Sequence, residues 1–235
     1  MSEPAFPPLM QGHAVDAGID PFEKACAMAA LGCDAGTIVY VITANRLAAA
    51  LVMAPEVPLE QAMAMLPVCG VGLQNALGAL APPEVAVHLE WAGGIRINGA
   101  ACGHFRAMAG TTDPAALPGW LVVGFELPLL LTGGAPGDRP DETALYEEGC
   151  ADVDSTLLLE SWARHTLNWI NRWEDEGPRA LHADWRGLAH GMGEDMEQAG
   201  HKGTFLGVDE NFGMLLRAGD DTQLIPLSTS LETPS

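Results

Sequence analysis

Positive charge is scarce in this chain: 11 lysines and arginines stand against 31 aspartates and glutamates, a formal net charge of -20 over 235 residues. So acidic a surface repels phosphate backbones and anionic headgroups, which excludes nucleic acid as a partner and gives no electrostatic footing on a membrane. Long hydrophobic runs are missing as well. Hydrophobic residues make up 48% of the chain, yet Glu126, Arg139 and proline breaks interrupt the longest apolar stretches before they approach the ~20 residues of a membrane span. The five cysteines, Cys26, Cys33, Cys69, Cys102 and Cys150, are odd in number and include no Cys-x-x-Cys pair. That excludes a disulfide framework and a zinc knuckle and leaves them as small buried hydrophobes.

Other absences narrow the chemistry. Met1 to His13 carry no basic segment followed by an apolar one, so no secretory leader is expected, and the chain is expected in the cytoplasm. There is no Gly-x-Ser-x-Gly elbow, Walker loop, His-Glu-x-x-His motif or Gly-x-Gly-x-x-Gly fingerprint.

What is present reads as alternating helices and strands. Asp20-Pro21-Phe22-Glu23 is a helix start, with Asp20 as cap, Pro21 in the first turn and Glu23 closing a capping box, so Lys24 to Leu31 forms a short helix stopped by Gly32. The β-branched run Thr37 to Ile42 is a strand, and Ala49 to Ala54 a second. Pro58 opens an Ala/Met/Leu-rich helix from Leu59 toward Leu80, kinked or divided at Pro67. A strand follows at Val85 to Trp91. Ile95-Arg96-Ile97 then alternates into Asn98-Gly99, the strongest short hairpin signal, with Cys102 to Met108 returning. Trp120 to Leu127 is apolar enough for a strand buried on both faces. His104 and Arg106 alternate against Phe105, and Arg96 and Arg106 read as outward strand residues.

After a Gly/Pro-rich break at Thr132 to Pro140, Asp154-Ser155 caps a helix that runs to Glu176. Its Leu158, Trp162, His165 and Trp169 form one apolar stripe. A second short helix carries Leu181, His182, Trp185 and Leu188. The acidic stretch Gly191 to Glu197, between His190 and His201, reads as a solvated linker, and no metal is expected there. From Gly200 the pattern is strand, turn, strand, turn, strand, with Gly213 supplying a positive φ. The expected organisation is an α/β sandwich over residues 1–190, with a mixed, largely antiparallel sheet covered by helices, and a small β-module over 191–235.

Between Val85 and Leu130, VAVHLEWAGGIRINGAACGHFRAM is followed by WLVVGFELPLLL. Trp91, the Asn98-Gly99 turn, Gly103 and Val122-Val123-Gly124 stand in the order and spacing of the centre of the biotin/lipoate protein ligases, which this chain resembles. The resemblance implies a ligase core ending in an SH3-like module. It implies activation of a small carboxylic acid, of the biotin or lipoate class, by ATP and magnesium, and transfer to a lysine of a carrier protein domain. It departs from the family where the charges should be. Glu90 stands where lysine is usual, Ala92-Gly93-Gly94 replace proline, asparagine and aspartate, and the hairpin lysine falls on Ala100 or Ala101. Only Arg46 remains of an Arg/Gly-rich loop between Thr37 and Pro58. A ligand would therefore rest on Arg46, Trp91, Gly93, Gly94, Arg96, Gly99, Gly103 and Gly124, with no catalytic residue assigned. Two functions follow from the resemblance: a ligase-like binder of a small acid, or a non-catalytic ligase-fold module for binding and protein interaction. A second copy of the chain is a further candidate partner.

Overall fold

In the computed structural model, residues 3–132 and 141–233 are described; the Gly/Pro-rich break lies, apart from Thr132, outside them. The first half of the chain follows its local signals closely. Asp20 accepts the Phe22 N–H at 2.9 Å, and helix α1 runs Pro21–Ala30. Before it, strand β1, Gln11–Ala14, runs parallel to β2, Thr37–Ile42. No periodic apolar pattern announces β1, because all four of its residues are exposed.

β2 turns through residues 43–45 into β3, Arg46–Met53, which begins ahead of the expected Ala49. Thr43 N–H donates to the Arg46 carbonyl at 2.8 Å and closes the turn. The apolar stretch that follows divides at Met63–Ala64 into α2, Leu59–Ala62, and α3, Met65–Leu80. Pro67 therefore lies in the first turn of α3, where a missing N–H costs no helical bond. Leu59–Leu80 is apolar and long enough to cross a membrane by composition, with mean hydropathy 1.4, but 72% of that window is buried inside the protein.

The expected strand from Val85 shortens to β4, Val87–Leu89, since Gly93 N–H folds back onto the Glu90 carbonyl at 3.0 Å. β5, Gly94–Ile97, and β6, Ala100–Ala109, meet at Asn98 and Gly99, both with positive φ (51° and 92°), as a two-residue hairpin requires. β7, Leu121–Pro128, completes a seven-stranded sheet of order β1-β2-β3-β7-β6-β5-β4, antiparallel except for β1 with β2.

Strand alternation sorts side chains into two layers. Ile38, Leu51, Phe105, Val123 and Phe125 join the main core beneath α3, α4 (Ser155–Glu176) and α5 (Arg179–Leu188). Val39, Ala50, Val52, Met108 and Val122 join a smaller cluster with Phe22, Ala25, Cys26 and Ala29 of α1. Asp154 caps α4 by accepting the Thr156 and Leu157 N–H groups at 2.7 and 3.0 Å.

Contact between α3 and α4 depends on two small residues. A Cβ at Gly72 would lie 2.5 Å from Thr166 Oγ1 and 3.1 Å from Thr166 N. Thr166 is fully buried there, so the stripe runs Leu158, Trp162, Thr166, Trp169, and His165 falls to the rim, half-buried. A 3.6-residue period places both positions near one face, and the narrow gap selects the smaller side chain. Burial, with Arg164 beside it, holds His165 below the usual histidine pKa. The indole N–H groups of Trp162 and Trp169 donate to the Cys69 carbonyl and the Asn75 amide oxygen at 3.2 and 2.8 Å.

The C-terminal segment holds four strands where three were expected: β8 (Asp195–Gln198), β9 (His201–Val208), β10 (Met214–Ala218) and β11 (Asp221–Ile225). The acidic stretch expected to be a linker contains β8, paired with β9 through all four of its residues. Positive φ falls on Phe212 (62°) and not on Gly213, because Asp209 accepts the N–H groups of Asn211 and Gly213 and shapes the turn. Gly213 is needed instead for space, as a Cβ would lie 2.7 Å from Leu224 Cδ1. Phe205, Phe212, Met214 and Leu216 are buried in the same main core as α5.

Gly72→Val is expected to push α3 from α4 and lower the unfolding free energy by ~1–3 kcal/mol in urea titration. Burial pushes the Cys26 and Cys102 thiols up to about 12 and raises those of Cys69 and Cys150. Cys33 alone is half-buried. Brief alkylation of the native chain, read by mass spectrometry, should therefore label Cys33 first and the other four only after unfolding.

Candidate functional site

Trp91 is held in the turn between β4 and β5, where it is only 4% exposed, and its indole N–H donates to the Phe212 carbonyl at 2.7 Å. The space beside it, bounded by Leu66, Gly70, Gly93, Phe105, Trp185 and Phe212, has a volume of about 10 Å³. That is room for roughly one water. Gly93, with φ 104°, could carry no Cβ without meeting the Phe105 carbonyl at 2.7 Å, and a Cβ on Gly94 would strike the Glu90 carboxylate. These glycines make room for the protein's own atoms. Trp120 packs with the α1 cluster, whereas Trp91 belongs to the main core on the opposite face of the sheet.

The arginines are engaged by acids. Arg96 Nε meets Glu90 Oε1 at 2.5 Å and its Nη1 donates to the Gly99 carbonyl at 2.7 Å, so Arg96 braces its own hairpin. Arg46 Nη1 lies 3.3 Å from Glu126 Oε2, and its Nη2 donates to the Ala17 carbonyl at 3.2 Å. Arg46 and Gly103 do come together, lining a cleft of about 390 Å³ with Asn45, Ala101, His104 and Thr143. Glu126 and Glu142 line it too. Trp91, Gly93, Gly94, Arg96 and Gly99 are not among the described residues that line this cleft. Gly124 sits mid-sheet under Phe22, where a Cβ would meet the ring at 2.9 Å and Ala50 Cβ at 3.0 Å.

Arg106 is not the plain outward residue its strand position suggested. Its guanidinium meets Asp20 Oδ2 at 2.6 Å, Glu23 Oε1 at 2.8 Å and both oxygens of Glu232 at 2.7 and 2.8 Å, and it lies 4.2 Å over the Phe22 ring. The hydrogen bonds it donates to Glu232, and then that to Asp20, raise its pKa against the opposing effect of burial. Alternation in β6 and the Asp20 cap were both visible in the sequence, but their meeting and the arrival of Glu232 depend on tertiary structure.

Phosphate activation needs cations and free donors around developing charge. Here the β2–β3 connection is a three-residue turn, 43–45, and Arg46, Arg96 and Arg106 are each held by carboxylate. Among the described residues the side chains present do not fit ATP with magnesium, since each of these arginines already meets a carboxylate. Among the described residues no group of three or more His, Cys, Asp or Glu is placed to hold a metal ion.

A seven-stranded mixed sheet layered with helices and followed by a small four-stranded sheet is the fold of biotin protein ligases. The ligase of Aquifex aeolicus matches with TM-score 0.71 at 15% identity, over 92% of each chain. Its complex with biotin and ATP matches with TM-score 0.68 at 14% identity, over 92% of this chain and 94% of that one. A biotin protein ligase-like protein of unknown function from Silicibacter sp. is 63% identical over 98% of this chain and 100% of its own, with TM-score 0.93. Residues 6–187 match the model of the biotin/lipoate A/B protein ligase family, and residues 192–233 match a domain of unknown function, DUF4444. The chain belongs to the biotin/lipoate A/B protein ligase family. No curated protein matches it.

Replacing Arg106 with Met leaves Asp20, Glu23 and Glu232 facing one another. The loss of stability should be about 2 kcal/mol, between the values for exposed and buried pairs. Urea titrations in low and high salt should show a smaller loss in high salt, where the repulsion is screened.

Proposed function

We propose that this chain is a non-adenylating member of the biotin/lipoate A/B protein ligase family, using the ligase scaffold as a binding and interaction module. The observation that carries the reading is the neutralisation of every sheet arginine considered for the site: Arg46 by Glu126, Arg96 by Glu90, and Arg106 by Asp20, Glu23 and Glu232. A cation already paired with carboxylate has little left to offer a triphosphate or a carboxylate under attack. The filled space beside Trp91 supports the same reading, as does Phe22 over Gly124.

Ligation of biotin or lipoate to a carrier lysine is the competing activity. It would require Arg46 or Arg96 to leave its acid and meet phosphate.

A thermal-shift titration of the full chain separates the two, using biotin, lipoate and octanoate at about millimolar concentration, each with and without ATP and magnesium. A ligand that binds only the folded state must raise the melting temperature. ATP with magnesium is expected to leave the melting temperature unchanged, alone or beside any of the acids. A rise of several degrees for one acid that grows with ATP would overturn the proposal and restore an adenylating ligase.

A further inference from the structure

The chain after β11 returns from the C-terminal module to the central sheet and closes the space beside Trp91. Pro226 leads into a single 3-10 turn, Leu227–Ser230, which packs against α2. Leu227 is 3% exposed and lines that space together with Trp91, Phe105, Trp185 and Phe212. Only about 10 Å³ is left empty, so the leucine side chain fills an apolar site walled by aromatic rings. Among the described residues Glu90 is the one charged group of the lining, and Arg96 already holds it.

The segment is bonded mostly to itself. Thr229 N–H and its hydroxyl donate to the Pro226 carbonyl at 3.0 and 2.8 Å, the Ser230 hydroxyl to the Leu227 carbonyl at 2.7 Å, and Leu231 N–H to the Ser228 carbonyl at 3.2 Å. At the far end Glu232 N–H donates to the Ala107 carbonyl at 2.8 Å, on the part of β6 that has run past its pairing with β5. The Glu232 carboxylate there takes two bonds from Arg106, at 2.7 and 2.8 Å. Among the described residues no other hydrogen bond or ion pair joins 226–232 to the rest of the chain. The Glu232 side chain is 38% exposed, so water and salt reach this clamp. Residues 226–232 can therefore lift as a unit with their own bonds intact, giving up one backbone bond, the clamp, and the contacts of Leu227 and Leu231 with the core. Segments so thinly bonded open at free energies well below that of global unfolding.

We propose that residues 226–232 are a releasable strap, latched by Arg106 on Glu232, whose Leu227 holds closed an apolar site beside Trp91 that takes an uncharged aromatic molecule when the strap lifts. The surrounding rings suit an aromatic ligand through edge-to-face contact. Ligand and Leu227 compete for one space, so the apparent affinity is the intrinsic one scaled by the fraction of chains with the strap open. The inference rests on the binding role proposed above, and neither strap nor site involves ATP.

The probe is 5-fluoroindole, followed by fluorine NMR with the full chain, while hydrogen exchange of the strap is read by mass spectrometry. Glu232→Gln weakens the latch and raises the open fraction. At low salt the peptide covering 226–232 should then exchange about 5-fold faster than in the unaltered chain, and the probe should bind about 5-fold more tightly. High salt should bring the unaltered chain toward the variant, because it screens the clamp. Circular dichroism melting establishes that the variant is folded, and Glu232→Asp, whose carboxylate is one methylene short of Arg106, replaces it if it is not. Saturable binding that strengthens as the strap opens supports the assignment. No saturable binding to either chain overturns it. So does equal binding by both at low salt, as a site elsewhere would give, or strap exchange that the variant leaves unchanged. A melting temperature raised by ATP would overturn the binding role instead and leave these two readouts as they are.

Discussion

The meeting of Arg106 with three carboxylates ties together parts of the chain that are distant in sequence. Asp20 caps α1 with one carboxylate oxygen and holds Arg106 with the other, Glu23 adds a second contact from the same helix, and Glu232 brings in the segment after the last strand. The guanidinium rests on Phe22, whose ring in turn covers Gly124 in the central strand. One cation thus fixes where α1 lies on the sheet, and the place of α1 decides that this face is filled by protein. In a chain with 11 basic residues and 31 acidic ones, committing an arginine to three acids removes one of the few positive charges available for chemistry.

The same scarcity governs the rest of the sheet. Arg96 is bound to Glu90, which stands where the family has lysine, so the residue that replaced one cation also neutralises another. Arg46 starts β3 directly after a three-residue turn and pairs with Glu126 on the neighbouring strand. A binding role is consistent with this distribution, since a scaffold can keep its packing while its polar groups satisfy one another.

Much of the fold was legible because local signals agreed with tertiary packing. The Asp20 and Asp154 caps, the Asn98-Gly99 turn and the apolar runs of β2 and β7 all appear where the residue pattern places them. β1 was hidden because it is an exposed edge without alternation, and β8 because a paired strand of Asp, Met, Glu and Gln looks like a linker. His165 was placed one position from the truth, as only the Gly72–Thr166 approach distinguishes two neighbouring faces of α4. The candidate site was legible as a set of lost charges. It was not legible as geometry, because whether a glycine opens toward a ligand or toward its own chain depends on partners distant in sequence, as Phe105 is for Gly93 and Phe22 for Gly124.

The strand order has a consequence for how the chain is made. β7 follows β1 to β6 in the sequence yet lies between β3 and β6, bonded to each. During synthesis from the N-terminus, β1-β2-β3 and β4-β5-β6 exist first as two half-sheets, each with an apolar edge that has no neighbour. Open edges of this kind recruit strands from other chains, and non-local pairing closes them slowly. The interval before residues 121–128 emerge and insert is therefore the period of greatest exposure to misassembly, and the speed with which one central strand docks limits how much of this chain reaches the native state.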